Sequence, residues 1–289
     1  MSTPTDYSVD DFFQTGYNIA NTVSLSTGNQ KNQTYVSAGS VNARGIIQNN
    51  DFDRYTFTAR NTSEFLDGRM TLDLNAMYSK IEEQNMLSQG EYANPLVPIY
   101  LFPRGDDIRK YQIYERYDAT DGYMKQFWPL EFLTGVENPY WVTNRELFEN
   151  TAHRYTFNGT MKWDITSWMS LTGRVRLDNT TMNYTRKIYA SSDELFASKY
   201  GNYLDHTAVH NNLYADALLS IDKTFLDDRL SLQFNLGASL MDDKNKVTGF
   251  EGHLATQPNK FTLFNIDMKH SQTKPYMSRY HDQVQAAYA

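Results

Sequence analysis

The sequence predicts an all-β fold in which antiparallel strands form part of a transmembrane β-barrel, and three observations lead to this prediction. From Leu230 to Leu240, apolar residues alternate with small or polar ones, which is the period-two pattern of a strand with two different faces. The connections between such stretches are alternately short and long, as they are in outer-membrane barrels. The mean hydropathy is only -0.62 although 14% of the residues are aromatic, which fits a barrel with a polar lumen and polar loops.

The first four predicted strands come in two pairs. Residues 17–26 alternate clearly, and residues 35–43 follow more weakly after a turn-rich segment. Residues 54–60 and 70–78 form a cleaner pair, joined by a short connection that contains Gly68.

The next two predicted strands, 154–163 and 169–177, are joined by a turn that Trp163 and Trp168 flank. Aromatic girdles lie at membrane interfaces, so the two rings predict an interface at this turn. The alternative is that both rings fill the core of a soluble hairpin, because interfacial and core Trp alike keep one polar edge free.

The last predicted strands cover residues 213–221 and 230–240, and an interrupted one begins near Tyr276, giving nine candidates. We expect the long connections to be extracellular and the short ones to be periplasmic turns. The short connections lie near 62–69, 164–168 and 222–229, and the long ones near 84–152, 186–208 and 244–274.

Alternation assigns the strand residues to two faces, of which we expect the apolar one to meet lipid and the polar one to line the lumen. A register error of one residue would exchange the two sets. The residues expected to face lipid are Leu232, Phe234, Leu236, Leu171, Val175, Tyr155 and Phe157, and those expected to face the lumen are Gln233, Asn235, Arg174, Arg176, Thr156 and Asn158. The polar face includes a row of charged residues, which could either contact solute or simply keep the lumen hydrated. The row comprises Arg54, Arg60, Arg154, Lys162, Arg174, Arg176, Asp178, Arg279 and His281.

Composition excludes several classes of protein. A formal net charge of -7 argues against a nucleic-acid interface, which needs a basic patch. The absence of cysteine excludes disulfides, thiolate metal sites and cysteine nucleophiles, and the absence of any run of about 18 apolar residues excludes helical membrane spans. The first residues lack the basic and apolar parts of a secretory signal, and the last residues stop while still alternating. We therefore expect one domain, residues 1–289, cut from a longer chain.

Short motifs occur in the connections and at strand ends along nearly the whole chain. They are residues 11–16 (DFFQTG), 35–37 (YVS), 44–47 (RGII), 49–50 (NN), 94–96 (NPL), 101–105 (LFPRG), 137–141 (ENPYW), 258–262 (PNKFT) and 265–266 (NI). In order and spacing they resemble the SusC/RagA-like TonB-dependent transporters of Bacteroidetes outer membranes.

The resemblance implies an energised importer of the outer membrane. Loops and a SusD-like lipoprotein capture the solute, pulling by TonB displaces a plug domain, and the solute passes through the lumen. Members of the family are several-fold longer than this chain, and neither the plug nor the TonB-contacting segment is recognisable here. Because a complete barrel of this kind has about 22 strands, the resemblance implies a partial barrel. Oligosaccharides are the favoured solute, and a peptide remains open.

Aromatic and charged residues are concentrated in the long connection near 84–152. Such a mixture can stack on a sugar ring while hydrogen-bonding its hydroxyls, so we expect this connection to contact solute or the lipoprotein. The alternative is that the aromatics pack the connection itself, because a loop of this length must bury part of its own surface. The candidate ligand-binding residues are Trp128, Tyr140 and Trp141.

Little in the sequence predicts catalysis, so we expect a protein that is not an enzyme and that has no cofactor or metal. His206 and His210 have the spacing of a helical metal pair but lack the surrounding metalloprotease pattern, and we expect them to be solvated loop residues. Residues 118–122 resemble half of a calcium loop without its later glutamate, so a turn with Gly122 at its tip is expected.

A second function from another class is a soluble carbohydrate-binding β-sandwich or barrel module. The alternating faces would then meet in an ordinary core. Two observations count against this second function. Short and long connections alternate regularly, and two Trp residues flank one turn.

Overall fold

The computed structural model describes residues 6–86, 90, 92–130, 133–225, 230–271 and 273–289. Its strands are β1 (Tyr17–Gly28), β2 (Asn32–Arg44), β3 (Asp51–Phe65), β4 (Met70–Gln84), β5 (Glu115–Asp118), β6 (Tyr123–Gln126), β7 (Glu146–Thr166), β8 (Met169–Tyr189), β9 (Gly201–Phe225), β10 (Leu230–His253) and β11 (Lys274–Tyr288). Its helices are α1 (Leu96–Leu101) and α2 (Pro139–Arg145), with 3-10 turns at Val9–Phe12, Ile108–Gln112 and Leu263–Asn265.

Nine of these strands form one antiparallel sheet in the order β1-β2-β3-β4-β7-β8-β9-β10-β11. The all-β prediction and its nine strands are therefore confirmed. Within the described residues β1 and β11 are the two edges, so the sheet is open, as a partial barrel must be. The remaining strands, β5 and β6, pair only with each other inside the connection between β4 and β7.

The register groups the side chains as the alternation predicts. Directly opposed residues of an antiparallel pair lie on the same face. Phe157 of β7 lies opposite Leu177 of β8. Leu171 of β8 lies opposite Leu219 of β9, which in turn lies opposite Leu236 of β10. The polar set follows the other face, where Arg174 lies opposite Asp216. The two predicted sets therefore lie on opposite faces, and the identity of the face that meets lipid remains a prediction.

The apolar band occupies only the part of the long strands that is nearer the short connections. In β10 the apolar side chains of one face run from Leu230 to Leu240, after which Asp242, Lys244 and Lys246 continue the same face. β10 has 24 residues, whereas crossing a bilayer takes about 9–11. The distal half of the strand thus extends beyond the band, at the edge of the sheet that carries the long connections.

The connections separate by length between the two edges of the sheet, as predicted. Residues 29–31, 66–69 and 167–168 are the short connections of one edge, and residues 226–229 of the predicted turn 222–229 lie outside the described residues. The predicted excursions 186–208 and 244–274 are wrong in extent, because strands continue to Tyr189, from Gly201 and to His253. Beyond the apolar band, apolar and polar residues no longer alternate, because neither face of the sheet needs to be apolar there. The strands nevertheless continue to pair through their backbones, so the residue pattern does not show where they end.

β11 is continuous, and its register corrects one predicted position. His281 lies opposite Lys244, so His281 and Arg279 share the face that carries the apolar band instead of the lumen face. The His281 ring nitrogen Nε2 lies 3.0 Å from Asp242 Oδ2, in the part of the sheet beyond the band. The residue pattern of β11 alone does not indicate this, because pairing with β10 decides the face.

No described sheet covers the apolar face. Phe57, Tyr155 and Leu232 are each more than half exposed on it. A β-sandwich buries such a face against a second sheet, and the only second sheet among the described residues is the β5–β6 hairpin in the long connection. The described residues therefore do not form a β-sandwich.

Among the described residues, no helix is both long enough and apolar enough to cross a membrane.

Candidate functional site

The connection between β4 and β7 folds into a compact body at the rim of the sheet. Its core includes Tyr7 and Phe12 from the start of the chain and Ile47 from the β2–β3 connection. The described residues of 6–16, 45–50 and 85–145 are named the loop body here. The long connection supplies the other core residues, which are Ile99, Phe102, Ile108, Tyr111, Trp128, Leu130 and Tyr140. Burial of these rings keeps the long connection ordered outside any large sheet.

All three candidate ligand-binding residues are buried in the loop body. Trp141, Tyr140 and Trp128 are 0%, 3% and 4% exposed, respectively. The Trp128 indole N–H donates to Val136 O at 3.1 Å, and the Trp141 indole N–H donates to Ser192 Oγ at 2.8 Å. Burial also raises the pKa of the Tyr140 hydroxyl. These rings offer almost no surface to a solute in this conformation, so their ligand-binding role stays a prediction, while their packing role is observed.

Asn138 joins three parts of the loop body. Its Oδ1 accepts from Tyr140 N at 2.9 Å and so caps the start of α2. Its Nδ2 donates to Tyr111 O and to Phe127 O, each at 2.9 Å. Asn followed by Pro139 at the first helical position is a helix-start signal that the sequence displays, whereas the two bonds to distant carbonyls are visible only in the structure.

Two asparagines of the β2–β3 connection attach it to the long connection within the loop body. Asn49 Nδ2 donates to Thr143 O at 3.0 Å, and Asn50 Nδ2 donates to Asn85 O at 2.9 Å. Asn49 has a φ of 60°, in the left-handed region that Asn tolerates better than most residues. This motif of the family resemblance therefore joins two connections of the loop body.

The β8–β9 connection is fastened to the loop body by hydrogen bonds. Gln126 N donates to Ser191 Oγ at 3.0 Å, and Gly135 N donates to Asp193 Oδ2 at 2.7 Å. In return, Asp193 N donates to Glu137 Oε1 at 2.9 Å. The two connections thus form one continuous structure at this edge of the sheet.

The β10–β11 connection extends this structure. Tyr203, Leu254 and Ile266 form a second small core, and Asn259 Oδ1 accepts from Ala190 N at 2.7 Å. The motif at 265–266 also has a structural role, because Asn265 Nδ2 donates to two carbonyls of its own connection.

A cleft of about 450 Å³ lies between the loop body and the β8–β9 connection. Tyr123, Lys125, Glu137, Ser198 and Lys199 are among its lining residues. Its size is that of a small-ligand site, and its lining mixes charged, hydroxyl and aromatic groups. A larger groove of about 1330 Å³ crosses the apolar face of the sheet between rows of side chains, where lipid contact is expected.

The exposed aromatics of the loop body are different residues from the predicted ones. Tyr100 is 70% and Tyr117 is 66% exposed, and Ile113 is exposed as well. Side chains of this kind are enriched at the centres of protein contact surfaces. Tyr100 and Tyr117 are therefore aromatic rings of the loop body that are open to contact, and sequence alone does not tell which ring of a long loop is buried.

Ion pairs line the polar face of the sheet. Arg174 pairs with Asp216, whose side chain is almost completely enclosed, and Arg154 and Arg176 both pair with Asp178. Three guanidinium groups for two carboxylates leave this region with a net positive charge. The guanidinium groups are partly exposed, so they could serve either predicted role, hydration of a lumen or contact with a solute.

The predicted loop histidines lie inside a strand. His206 and His210 are both in β9, on one face and four residues apart, hence roughly 13 Å apart at the strand rise. The helical spacing therefore has no meaning for a metal pair, and the described residues contain no group of three or more acidic or histidine ligands suited to a metal. At the predicted turn, Thr120 N and Asp121 N donate to Asp118 Oδ1, and Gly122 has a φ of 77°.

No family model and no curated protein matches this chain. The RagAB peptide importer in its closed-closed state matches with a TM-score of 0.74 and 14% identity, over 99% of this chain and 31% of that one. The open-open state of the importer matches with a TM-score of 0.69 and 15% identity, over 97% of this chain and 30% of that one. A structure of the RagAB peptide transporter matches with a TM-score of 0.71 and 14% identity, over 96% of this chain and 30% of that one. This chain thus spans less than a third of each of these three solved chains.

At these identities the match concerns the fold. The match covers the sheet and its connections. It agrees with the sequence resemblance to SusC/RagA-like proteins. The chain therefore has the fold of part of the matched RagAB chains.

Proposed function

We propose that the chain forms part of the wall and outer loops of a TonB-dependent importer in a bacterial outer membrane. The observation that carries this proposal is the open nine-stranded sheet with an uncovered apolar band on one face and an ion-paired polar row on the other. Such a sheet has lipid on its apolar side and water on its polar side. The role is transport, and the polar face is the wall of the pathway.

The loop body is proposed to lie on the extracellular side and to contribute contacts to solute or to a SusD-like lipoprotein lid. Its position supports this, because it lies at the edge where strands extend beyond the apolar band. In the proposal Tyr100 and Tyr117 make contacts, whereas Trp128, Tyr140 and Trp141 hold the surface in shape. TonB would act through a part of the transporter that this sequence does not recognisably contain.

The proposed solute is an oligosaccharide, whose rings can stack on exposed tyrosines while its hydroxyls bond to polar neighbours. A peptide is the second candidate, because the matched structures are named peptide importers. The ion-paired arginines of the polar face would also suit the carboxylates of a peptide.

Cell fractionation and uptake test the proposal together. The protein that contains this chain is expected in outer-membrane fractions, extractable only with detergent. Deleting its gene is expected to abolish uptake of either labelled oligosaccharides or labelled peptides, and the affected label identifies the solute. Recovery of the protein in the soluble fraction would overturn the importer proposal.

Two sets of variants test the loop body. Replacing Tyr100 and Tyr117 by Ala is expected to weaken solute capture or lid closure without changing the amount of protein in the membrane. Replacing Trp128, Tyr140 and Trp141 by Ala is expected to disorder the loop body and to reduce uptake as well. Normal uptake by both variants at normal membrane levels would rule out the loop body as a contact surface.

A further inference from the structure

Two glutamates meet in the interior between the loop body and the barrel rim. Glu137 precedes α2 and is 5% exposed, and Glu146 begins β7 and is 1% exposed. Their carboxyl groups are within hydrogen-bonding reach of each other. Both lie at the loop edge of the sheet, well before the apolar band of β7 begins at Tyr155, and so outside the membrane-spanning part.

The oxygens of the two carboxyl groups are unequally supplied with donors. Glu137 Oε1 accepts from Asp193 N at 2.9 Å and from Gln126 Nε2 at 3.1 Å. Among the described residues, no N–H or hydroxyl group donates to Glu137 Oε2 or to either oxygen of Glu146. A buried carboxylate without donors is strongly unfavourable. A proton on one carboxyl group would remove one of the two buried charges and would let that group donate to an oxygen of the other.

The surrounding charges do not neutralise two carboxylates. Asp193 of the β8–β9 connection adds a third negative charge nearby, and Arg186 of β8 is the cation that acts on Glu146. Arg186 is itself paired with Glu251 of β10. Arg145, at the end of α2, pairs with Glu115 of β5. Neither arginine is therefore a dedicated counterion for the glutamate pair.

Burial raises the pKa of Glu137, and burial together with the adjacent Glu137 charge raises the pKa of Glu146 well above its ordinary value. Two close carboxyl groups in a dry site titrate as one coupled unit that retains a proton to higher pH than either residue would alone.

A divalent cation is a poorer occupant than a proton. Only three carboxylate oxygens of the pair lack donors, whereas Ca²⁺ takes about 6–8 oxygen ligands. Both oxygens of Asp193 already accept backbone N–H groups, from Gly135 and Leu195.

We propose that Glu137 and Glu146 form a proton-binding site that fastens the loop body to the barrel rim. The proton bridges a residue of the long connection to the first residue of a barrel strand. Through Glu137 the same site holds the β8–β9 connection by its bond from Asp193 N. Loss of the proton places two adjacent negative charges in the interior and releases these contacts.

The direction of the pH effect follows from the raised pKa. In the opened state the glutamates lose their protons near their ordinary pKa of about 4.3, whereas in the closed state the pair keeps one. The closed state is therefore fully stabilised at acidic pH and loses stability as pH rises toward the closed-state pKa of the pair. Over that range the opening equilibrium should rise about tenfold for each pH unit, since one proton is released.

Hydrogen exchange followed by mass spectrometry tests this in the detergent-solubilised protein. For residues 138–145, exchange rates are divided by the intrinsic rate at each pH to give protection. In the wild type protection is expected to fall by about tenfold per pH unit until the pair has titrated. The Glu146→Gln variant keeps a donor to Glu137 but leaves only one carboxyl group to titrate, so its pH-dependent loss of protection is expected to end at a lower pH than in the wild type.

The matched control is Glu149→Gln, which changes an ion-paired carboxylate three residues further along the same strand. It should retain the wild-type pH dependence. Equal pH dependence in the wild type and Glu146→Gln would overturn the proposal, as would a transition that follows added Ca²⁺ or chelator at constant pH. If Glu146→Gln does not fold, infrared spectroscopy of the wild type decides: the carbonyl band of a buried protonated carboxyl group should be present at neutral pH, and its absence overturns the proposal.

Discussion

Replacing Asn138 by Ala should open the loop body locally while leaving the sheet intact. The substitution removes the cap of α2, which costs about 1 kcal/mol. It also leaves the carbonyls of Tyr111 and Phe127 without the donor that they share in a buried position, at about 1–3 kcal/mol each. The sum is at least about 3 kcal/mol, which corresponds to a rise of more than a hundredfold in the opening equilibrium.

Native-state hydrogen exchange of residues 138–145 measures this opening. The backbone N–H of Val142, which donates to Asn138 O at 3.0 Å, lies within that segment. Asn94→Ala is the matched control, since Asn94 is a half-buried residue of the same connection that caps a turn at Leu96. We expect it to change protection by about tenfold or less. Equal protection in Asn138→Ala and the wild type would refute the assignment of Asn138 as the residue that joins the parts of the loop body.

Two further predictions concern the sheet. Leu236→Arg places a charge in the middle of the apolar band and should destabilise the membrane-inserted protein by about 2–4 kcal/mol, whereas Gln233→Arg on the opposite face should have little effect, as measured by urea titration of the protein in lipid vesicles. Equal effects of the two variants would show that the faces are assigned wrongly. Arg174→Ala removes the ion pair of the enclosed Asp216 and should lower stability by about 1–3 kcal/mol in the same assay, and an unchanged midpoint would show that this ion pair does not stabilise the sheet.

The parts of the fold that sequence predicted are those that a local pattern determines. The strict alternation from Leu230 to Leu240 exists because one face of the strand is apolar over this stretch, so the faces and the number of strands could be predicted. Strand ends such as Tyr189 and His253 could not, because beyond the apolar band pairing continues without alternation. The same limit applies to Arg279 and His281, whose face depends on pairing with β10.

The loop body could be predicted only in part. Its aromatic content marks the long connection, but the choice between a buried ring such as Trp141 and an exposed one such as Tyr100 depends on tertiary packing. The motif 137–141 contains a readable helix start in Asn138 and Pro139. The meeting of Glu137 with Glu146 has no sequence signal, since it depends on how α2 and the first residue of β7 are placed.

Single-cysteine labelling tests the central claim, a barrel wall with one lipid face and one lumen face. The chain contains no cysteine, so substitutions at 232, 233, 234, 235 and 236 each introduce one thiol. In membranes, thiols at 232, 234 and 236 should react only with a lipophilic reagent, and thiols at 233 and 235 should react with a water-soluble one. Reaction of all five positions with the water-soluble reagent, or no alternation along the strand, would contradict the account.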